Sequence, residues 1–164
     1  MYKRRDMSTL VQNTEEWLEV RKNYLGSSDA PVIMGVSPWR TPYKLWQEKL
    51  GLAQPQFQNK SMSRGHELEP QALALVEQLT GLLLHPTVKF HTQHTWMMAS
   101  LDAMDIEGKN IVEIKAPCEK DHQIAVSGNV PEKYFPQLQH QIEVCAVEFA
   151  FYFSFDGKDG VLLK

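Results

Sequence analysis

The chain has 164 residues, 43% hydrophobic and 23% charged, with a formal net charge of −3, which fits one soluble globular domain (1–164) with a single core. No run is apolar enough to span a bilayer, the basic start Met1-Tyr2-Lys3-Arg4-Arg5 lacks the apolar stretch of a signal peptide, and two cysteines make neither a disulfide framework nor a four-cysteine cluster, so a reducing, cytoplasmic setting is expected. The negative balance excludes coating nucleic acid by bulk positive charge, but not meeting DNA through a local basic rim around an acidic site.

In chain order, a first helix is expected over about Asn13 to Leu25, with Asn13 as its N-cap and Glu16 three residues on. Gly26-Ser27-Ser28-Asp29 breaks it and caps a short second helix ending at Gly35. Thr41-Pro42 reads as an N-cap followed by proline at the first helical position, with Gly51 closing that helix. A Gln- and Pro-rich loop spans 52–60. A long helix covers about Ser61 to Thr80 and stops at Gly81, with Pro70 expected to kink or restart it.

The texture then changes to strands, about Leu82 to His91, Thr95 to Ala103 and Asn110 to Ala116, the last two joined by a turn over Asp105 to Lys109. Helices over Glu119 to Val126 and Pro131 to Ala146 flank a Gly128-Asn129 break. Val147 to Phe155 is a strand, and Val161 to Lys164 begins another, so C-terminal elements are expected to be missing. Helices, three strands, helices and a strand make an α/β arrangement around a mixed sheet.

The chemistry concentrates in Ser100-Leu101-Asp102 and Ile111-Val112-Glu113-Ile114-Lys115. Strand alternation puts Ser100 and Asp102 on one face and Glu113 with Lys115 on one face, while Leu101, Val112, Ile114 and Ala116 point the other way. If the strands form a hairpin, two carboxylates and an ammonium converge. A divalent cation relieves the repulsion of the acids, and Mg²⁺ suits oxygen ligands. Lys115 beside it can orient or deprotonate an attacking water, or steady charge developing on phosphorus. On spacing alone, such a set is more often a solvated face with a cross-strand ion pair.

Three further features bear on the choice. Arg21 lies mid-arc among Trp17, Leu18, Tyr24 and Leu25, where a guanidinium needs an anionic partner, structural or phosphate. Glu69 borders the face made by Leu68, Ala72, Leu75 and Leu79, and either supplies a third carboxylate or simply favours its helix N-terminus. Gln137 and Gln141 share one flank of a helix whose Leu138, Ile142 and Cys145 face the core, and either serve a site or form a polar edge.

Together these segments resemble the YqaJ-like viral recombinase family, which includes lambda exonuclease, within the PD-(D/E)XK nucleases. The likeness runs in order through Trp17-Leu18-Glu19-Val20-Arg21, Gly26-Ser27-Ser28-Asp29, Gly35-Val36-Ser37-Pro38-Trp39, Arg64-Gly65 to Glu69, Ser100-Leu101-Asp102, Glu113-Ile114-Lys115 and Tyr134 to Gln139. Ala103 follows Asp102 where the family usually has glycine. The resemblance implies a restriction-endonuclease-like core and two-metal hydrolysis of DNA phosphodiesters. It makes Asp102, Glu113 and Glu69 metal-binding acids, Lys115 the catalytic lysine and Gln137 a glutamine beside the site. Arg21, Ser28 and Ser100 match positions that hold a 5′-phosphate.

The expectation is thus a Mg²⁺-dependent 5′–3′ exonuclease on duplex DNA ends, with Mn²⁺ substituting, supplying single strands to an annealing recombinase, and a homotrimer by analogy. The competing readings are an endonuclease of the same superfamily and a DNA-binding module that has lost turnover. A third, a metal-binding protein using His85, His91 and His94, has spacings that fit no zinc pattern.

Overall fold

The computed structural model describes residues 10–53 and 60–164, and, within these, no side-chain surroundings for 60–63 and His66. Most of the expected 52–60 loop lies outside the described residues. The order is α1 (Glu15–Lys22), β1 (Leu25–Gly26), a 3₁₀ turn (Ser27–Asp29), α2 (Ala30–Ile33), α3 (Pro42–Lys49), α4 (Lys60–Thr80), β2 (Leu84–Phe90), β3 (Met97–Asp105), β4 (Ile111–Lys115), α5 (Glu119–Val126), a second 3₁₀ turn (Glu132–Tyr134), α6 (Phe135–Cys145), β5 (Phe151–Phe155) and β6 (Gly160–Leu163).

The six strands form one mixed sheet. β3 pairs antiparallel with β2 and β4 and parallel with β1; β4 pairs parallel with β5, and β5 antiparallel with β6. One core joins Met104, Ile111 and Tyr152 of the sheet to Ala125 of α5 and Leu138 and Val144 of α6. A second sets Ala103, Val112, Ile114 and Phe153 against Ala72 and Val76 of α4. A third, smaller cluster of Trp17, Val88 and Met98 seats α1. No helix among the described residues is long and apolar enough to cross a membrane.

Several expected elements need correction. α1 is capped by Thr14, not Asn13: the Thr14 hydroxyl accepts the Trp17 N–H at 3.2 Å from an extended backbone, while Asn13 takes a left-handed turn at φ 65°. α4 runs through Pro70 as one helix. Its buried face centres on Ala72 and Val76, and Leu79 is exposed. The Thr41 cap does form, its hydroxyl accepting the Lys44 N–H at 3.3 Å with Pro42 opening α3.

The largest departure is in β3. Between the pairs Thr87–Leu101 and His85–Met104, β2 spends one residue, Pro86, where β3 spends two, Asp102 and Ala103. Such a bulge interrupts alternation, and proline, with no N–H to give a ladder, suits the position opposite it. Leu101 and Met104, three apart, consequently enter the same core. The expectation that Leu101 lies with Val112 and Ile114 therefore fails: Leu101 enters the first core and they enter the second.

Candidate active site

The bulge falls where β3 and β4 separate. Their ladder consists of Ala103–Val112 and Met104–Ile111. One step further, in the same register, Asp102 stands opposite Glu113, and the Asp102 carboxylate accepts the Ile114 N–H at 2.8 Å. A side chain thus occupies the place of a backbone carbonyl, and the two acids face each other at the fork.

Glu113 is 2% exposed and fully engaged. Gln137 donates to its Oε1 at 2.6 Å and Gln141 donates to its Oε2, both from one side of α6, while the Lys115 ammonium contacts Oε1. Charge-assisted donors compensate for burying the carboxylate. Asp102 is less favoured: burial first, then the Glu113 charge, push its carboxyl well above the usual range, against the pull of Lys115 and the Ile114 N–H. The charge of Glu69, on α4, also raises it, so the third acid lies within electrostatic reach. For Lys115, burial favours the neutral amine, but Glu113 and Asp102 more than offset it and hold the ammonium protonated above the ordinary lysine range.

This donor set fits a hard divalent cation. Two close carboxylates, Glu113 buried and Asp102 half-buried, with the Asp102 carboxyl pushed up by burial and by Glu113, are an oxygen-rich pair whose charge Mg²⁺ or Mn²⁺ would satisfy. The Oε1 of Gln141, buried with no hydrogen-bond partner among the described residues, is a further oxygen beside them.

A second cluster assembles at α1. Arg21 donates to the Ser28 hydroxyl at 2.9 Å, and its guanidinium lies 4.6 Å from the centre of the Trp17 ring. The Trp17 indole N–H donates to Ser100 Oγ at 2.9 Å, which ties this cluster to β3 two residues before Asp102. Arg21, Ser28 and Ser100 thus gather around one tryptophan, although Leu18, expected on the same apolar arc, is exposed.

The anionic partner expected for Arg21 is Asp29, 1% exposed and 4.0 Å away, which sequence reasoning did not single out. Asp29 is shared with Arg40 at 3.0 Å and Lys49 at 2.8 Å. Burial pushes its carboxyl up, but Lys49, Arg21 and the Gly26 N–H outweigh this and hold it low. Burial also lowers the pKa of Arg21, and Arg40 adds to the effect. Positive charge exceeds negative here, which suits a further anion.

The histidines divide. His91, His94 and Glu143 bring ligand atoms within 4.8 Å of one another, the geometry of a possible metal cluster. However, His91 Nδ1 accepts the N–H groups of Gln93 at 3.0 Å and His94 at 2.8 Å. That fixes the proton on Nε2, which faces Glu143 at 3.3 Å, so neither ring nitrogen offers a free lone pair. The cluster is a tautomer-locked His–Glu pair.

Known proteins agree with this architecture. A structure of an alkaline exonuclease (LHK-Exo) from Laribacter hongkongensis matches with a TM-score of 0.74 at 22% identity, over 92% of this chain and 83% of that one. The same enzyme in complex with dAMP matches at 0.75 and 21%, over 91% and 80%. A phage-related exonuclease from Haemophilus somnus 129PT matches at 0.53 and 19%, over 80% and 67%. The mixed sheet with its flanking helices is therefore the α/β, restriction-endonuclease-like core.

Among curated proteins, YqaJ of Bacillus subtilis (strain 168), itself uncharacterized, is 29% identical over 147 residues, 85% of this chain and 46% of that protein. The chain thus spans about half the length of this relative. The model of the YqaJ-like viral recombinase domain matches residues 16–148, from α1 through the end of α6, so the chain belongs to the YqaJ-like viral recombinase domain family.

Proposed function

We propose that the chain is a divalent-metal-dependent deoxyribonuclease that degrades one strand of duplex DNA from a 5′ end. The observation that carries this reading is the facing pair Asp102 and Glu113 at the β3–β4 fork, with Lys115 against Glu113. The family, and the exonucleases that share the fold, one of them bound to dAMP, support the substrate class.

In this reading Asp102, Glu113 and Glu69 hold Mg²⁺, with Mn²⁺ able to replace it. Bound metal supplies a water acidic enough to ionise near neutral pH and a Lewis acid for the phosphate oxygens. Gln137 and Gln141 fix the Glu113 carboxylate so that its oxygens keep one orientation. Lys115, whose ammonium contacts Glu113, orients or helps deprotonate the attacking water, or steadies the charge developing on phosphorus. Arg21, Ser28 and Ser100 receive the terminal phosphate.

The test is hydrolysis of linear duplex with 5′-phosphate or 5′-hydroxyl ends against covalently closed circles, in Mg²⁺ and in EDTA. Metal-dependent loss of linear DNA with circles spared is expected. Equal cutting of circles would replace the exonuclease by an endonuclease, and no cutting in Mg²⁺ would remove the enzymatic reading.

A further inference from the structure

Trp39 sits on the bend between α2 and α3 and is 54% exposed, yet its position is fixed. The Ser37 hydroxyl accepts the N–H groups of Trp39 and Arg40 at 3.3 and 3.4 Å. The next side chain, Arg40, is anchored to Asp29 at 3.0 Å and Glu48 at 2.6 Å. A large indole held half in water on an anchored bend costs hydrophobic free energy that the described residues do not recover.

Inward, the Trp39 ring stacks on Tyr134 with centroids 6.4 Å apart and planes 27° from parallel. Tyr134 in turn stacks on Tyr152 of β5, which pairs with Glu113 in the sheet, and lies 5.5 Å below the Lys115 ammonium. Lys133 lies 4.8 Å from the Trp39 ring and 5.3 Å from Tyr134, balanced by Asp121 at 2.5 Å. One ring therefore separates an exposed indole from the ammonium of the Asp102–Glu113 site, and the Lys133 ammonium lies over both rings.

We infer that Trp39 is a stacking platform for an unpaired DNA base next to the scissile phosphate, with Lys133 facing the adjoining backbone. The inference rests on the nuclease reading for its substrate, and on the aromatic stack for its location. An indole face attracts any base without regard to sequence, and an ammonium beside it suits the accompanying phosphate. A strand end peeled from its complement exposes its bases, and a fixed ring takes the place of the lost stacking neighbour. The two-ring stack behind Trp39 keeps the platform from tipping under that load.

The experiment measures binding of a 5′-phosphorylated single-stranded oligonucleotide in Ca²⁺ and in EDTA, so that no turnover is needed. Wild type, Trp39→Ala and Trp39→Phe are compared, each with the intact oligonucleotide and with a set carrying an abasic site at one of the first four positions. Trp39→Ala should weaken binding of the intact strand by about 5- to 100-fold, with Trp39→Phe keeping most of it. For wild type, one abasic position should cost a similar factor, and that position should cost Trp39→Ala nothing further. Equal binding by wild type and Trp39→Ala, additive losses at every abasic position, or no binding by wild type overturns the inference. So does a change of molecular mass in Trp39→Ala by light scattering, which would make Trp39 a contact between copies. Loss of hydrolysis with this binding pattern intact would refute the nuclease reading and leave the platform standing.

Discussion

The Asp102 carboxylate accepts the N–H of Ile114 at the point where the β3–β4 ladder stops, which gives one side chain both a structural and an electrostatic task. The two separate in Asp102→Asn, whose amide oxygen can still accept the Ile114 N–H but carries no charge. Hydrolysis should fall by several orders of magnitude. Stability should move the other way. A carboxyl whose folded pKa is raised loses stability as pH rises from its unfolded value, near 4, toward the folded one, and the full penalty persists above. At neutral pH in EDTA the variant should therefore melt above wild type. Mg²⁺ or Mn²⁺ should raise the wild-type melting temperature and leave the variant nearly unmoved. Calorimetry in the two media decides it, and a metal response in Asp102→Asn equal to wild type would remove Asp102 from the metal set.

Glu113→Ala and Lys115→Ala should each abolish metal-dependent hydrolysis while the protein stays folded. The first removes the carboxylate proposed to bind metal, the second the ammonium against it. Circular dichroism establishes the fold and initial rates the loss. Near-normal cleavage by either folded variant would move the site elsewhere.

Gln137 and Gln141 divide the Glu113 oxygens between them. Gln141→Ala leaves the buried Oε2 short of its donor, a loss of about 1–3 kcal/mol in stability, whereas Gln137→Ala leaves Oε1 still against Lys115 and should cost less. Because the amides orient a metal-binding group without touching substrate, activity should fall about 10- to 100-fold, with weaker metal dependence. Titrating rate against Mg²⁺ separates this from a fold defect, since excess metal should recover part of the loss. The larger effect is expected at Gln141, although the family likeness points to Gln137 alone.

That contrast shows where sequence is legible. Helical periodicity places Gln137 and Gln141 on one flank and Leu138 toward the core, because α6 is regular and its period is intrinsic to the backbone. The caps at Thr41 and the stop at Gly81 are local chemistry and are likewise readable. The bulge at Asp102 and Ala103 is not, nor is the resulting separation of Leu101 from Val112 and Ile114, and its local trace is Pro86 on the neighbouring strand. Asp29 hides for a different reason. Its importance arises from Arg21, Arg40 and Lys49, which converge from three separate segments, and sequence spacing carries no sign of that meeting.

Asp29 should accordingly be the most destabilising single loss in the α1–α3 region. Asp29→Ala leaves Arg40 and Lys49 facing a buried gap, at a cost of about 3–5 kcal/mol. The same ion pairs set an acid limit. The folded pKa of Asp29 is depressed, so its contribution is complete above the unfolded value, near 4, and is lost as pH falls through the folded one. Denaturant midpoints between pH 2 and 6 should fall in that acid window for wild type, with a shallower slope for the variant. Parallel curves would show that Asp29 carries no such linkage.

Arg21 discriminates between reading a chain end and reading an internal phosphate. Asp29 already has Arg40 at 3.0 Å and Lys49 at 2.8 Å, so Arg21, at 4.0 Å, is the cation it can lose without being left unpaired. The Arg21 guanidinium instead lies against Trp17 with one hydrogen bond to Ser28, and has further donors to give. A terminal 5′-phosphate is a dianion, more charged than any internal phosphodiester, so a pocket of Arg21, Ser28 and Ser100 should prefer it. Arg21→Ala should then cost little stability and little metal affinity but much activity on 5′-phosphorylated duplex. It should also shrink the difference between phosphorylated and hydroxyl ends, because the interaction that separates them is gone. Initial rates on both substrates at matched salt provide the measurement, since phosphate contacts are screened. If wild type treats both ends alike and cuts closed circles as readily, Arg21 does not read ends, and its place beside Asp29 is structural.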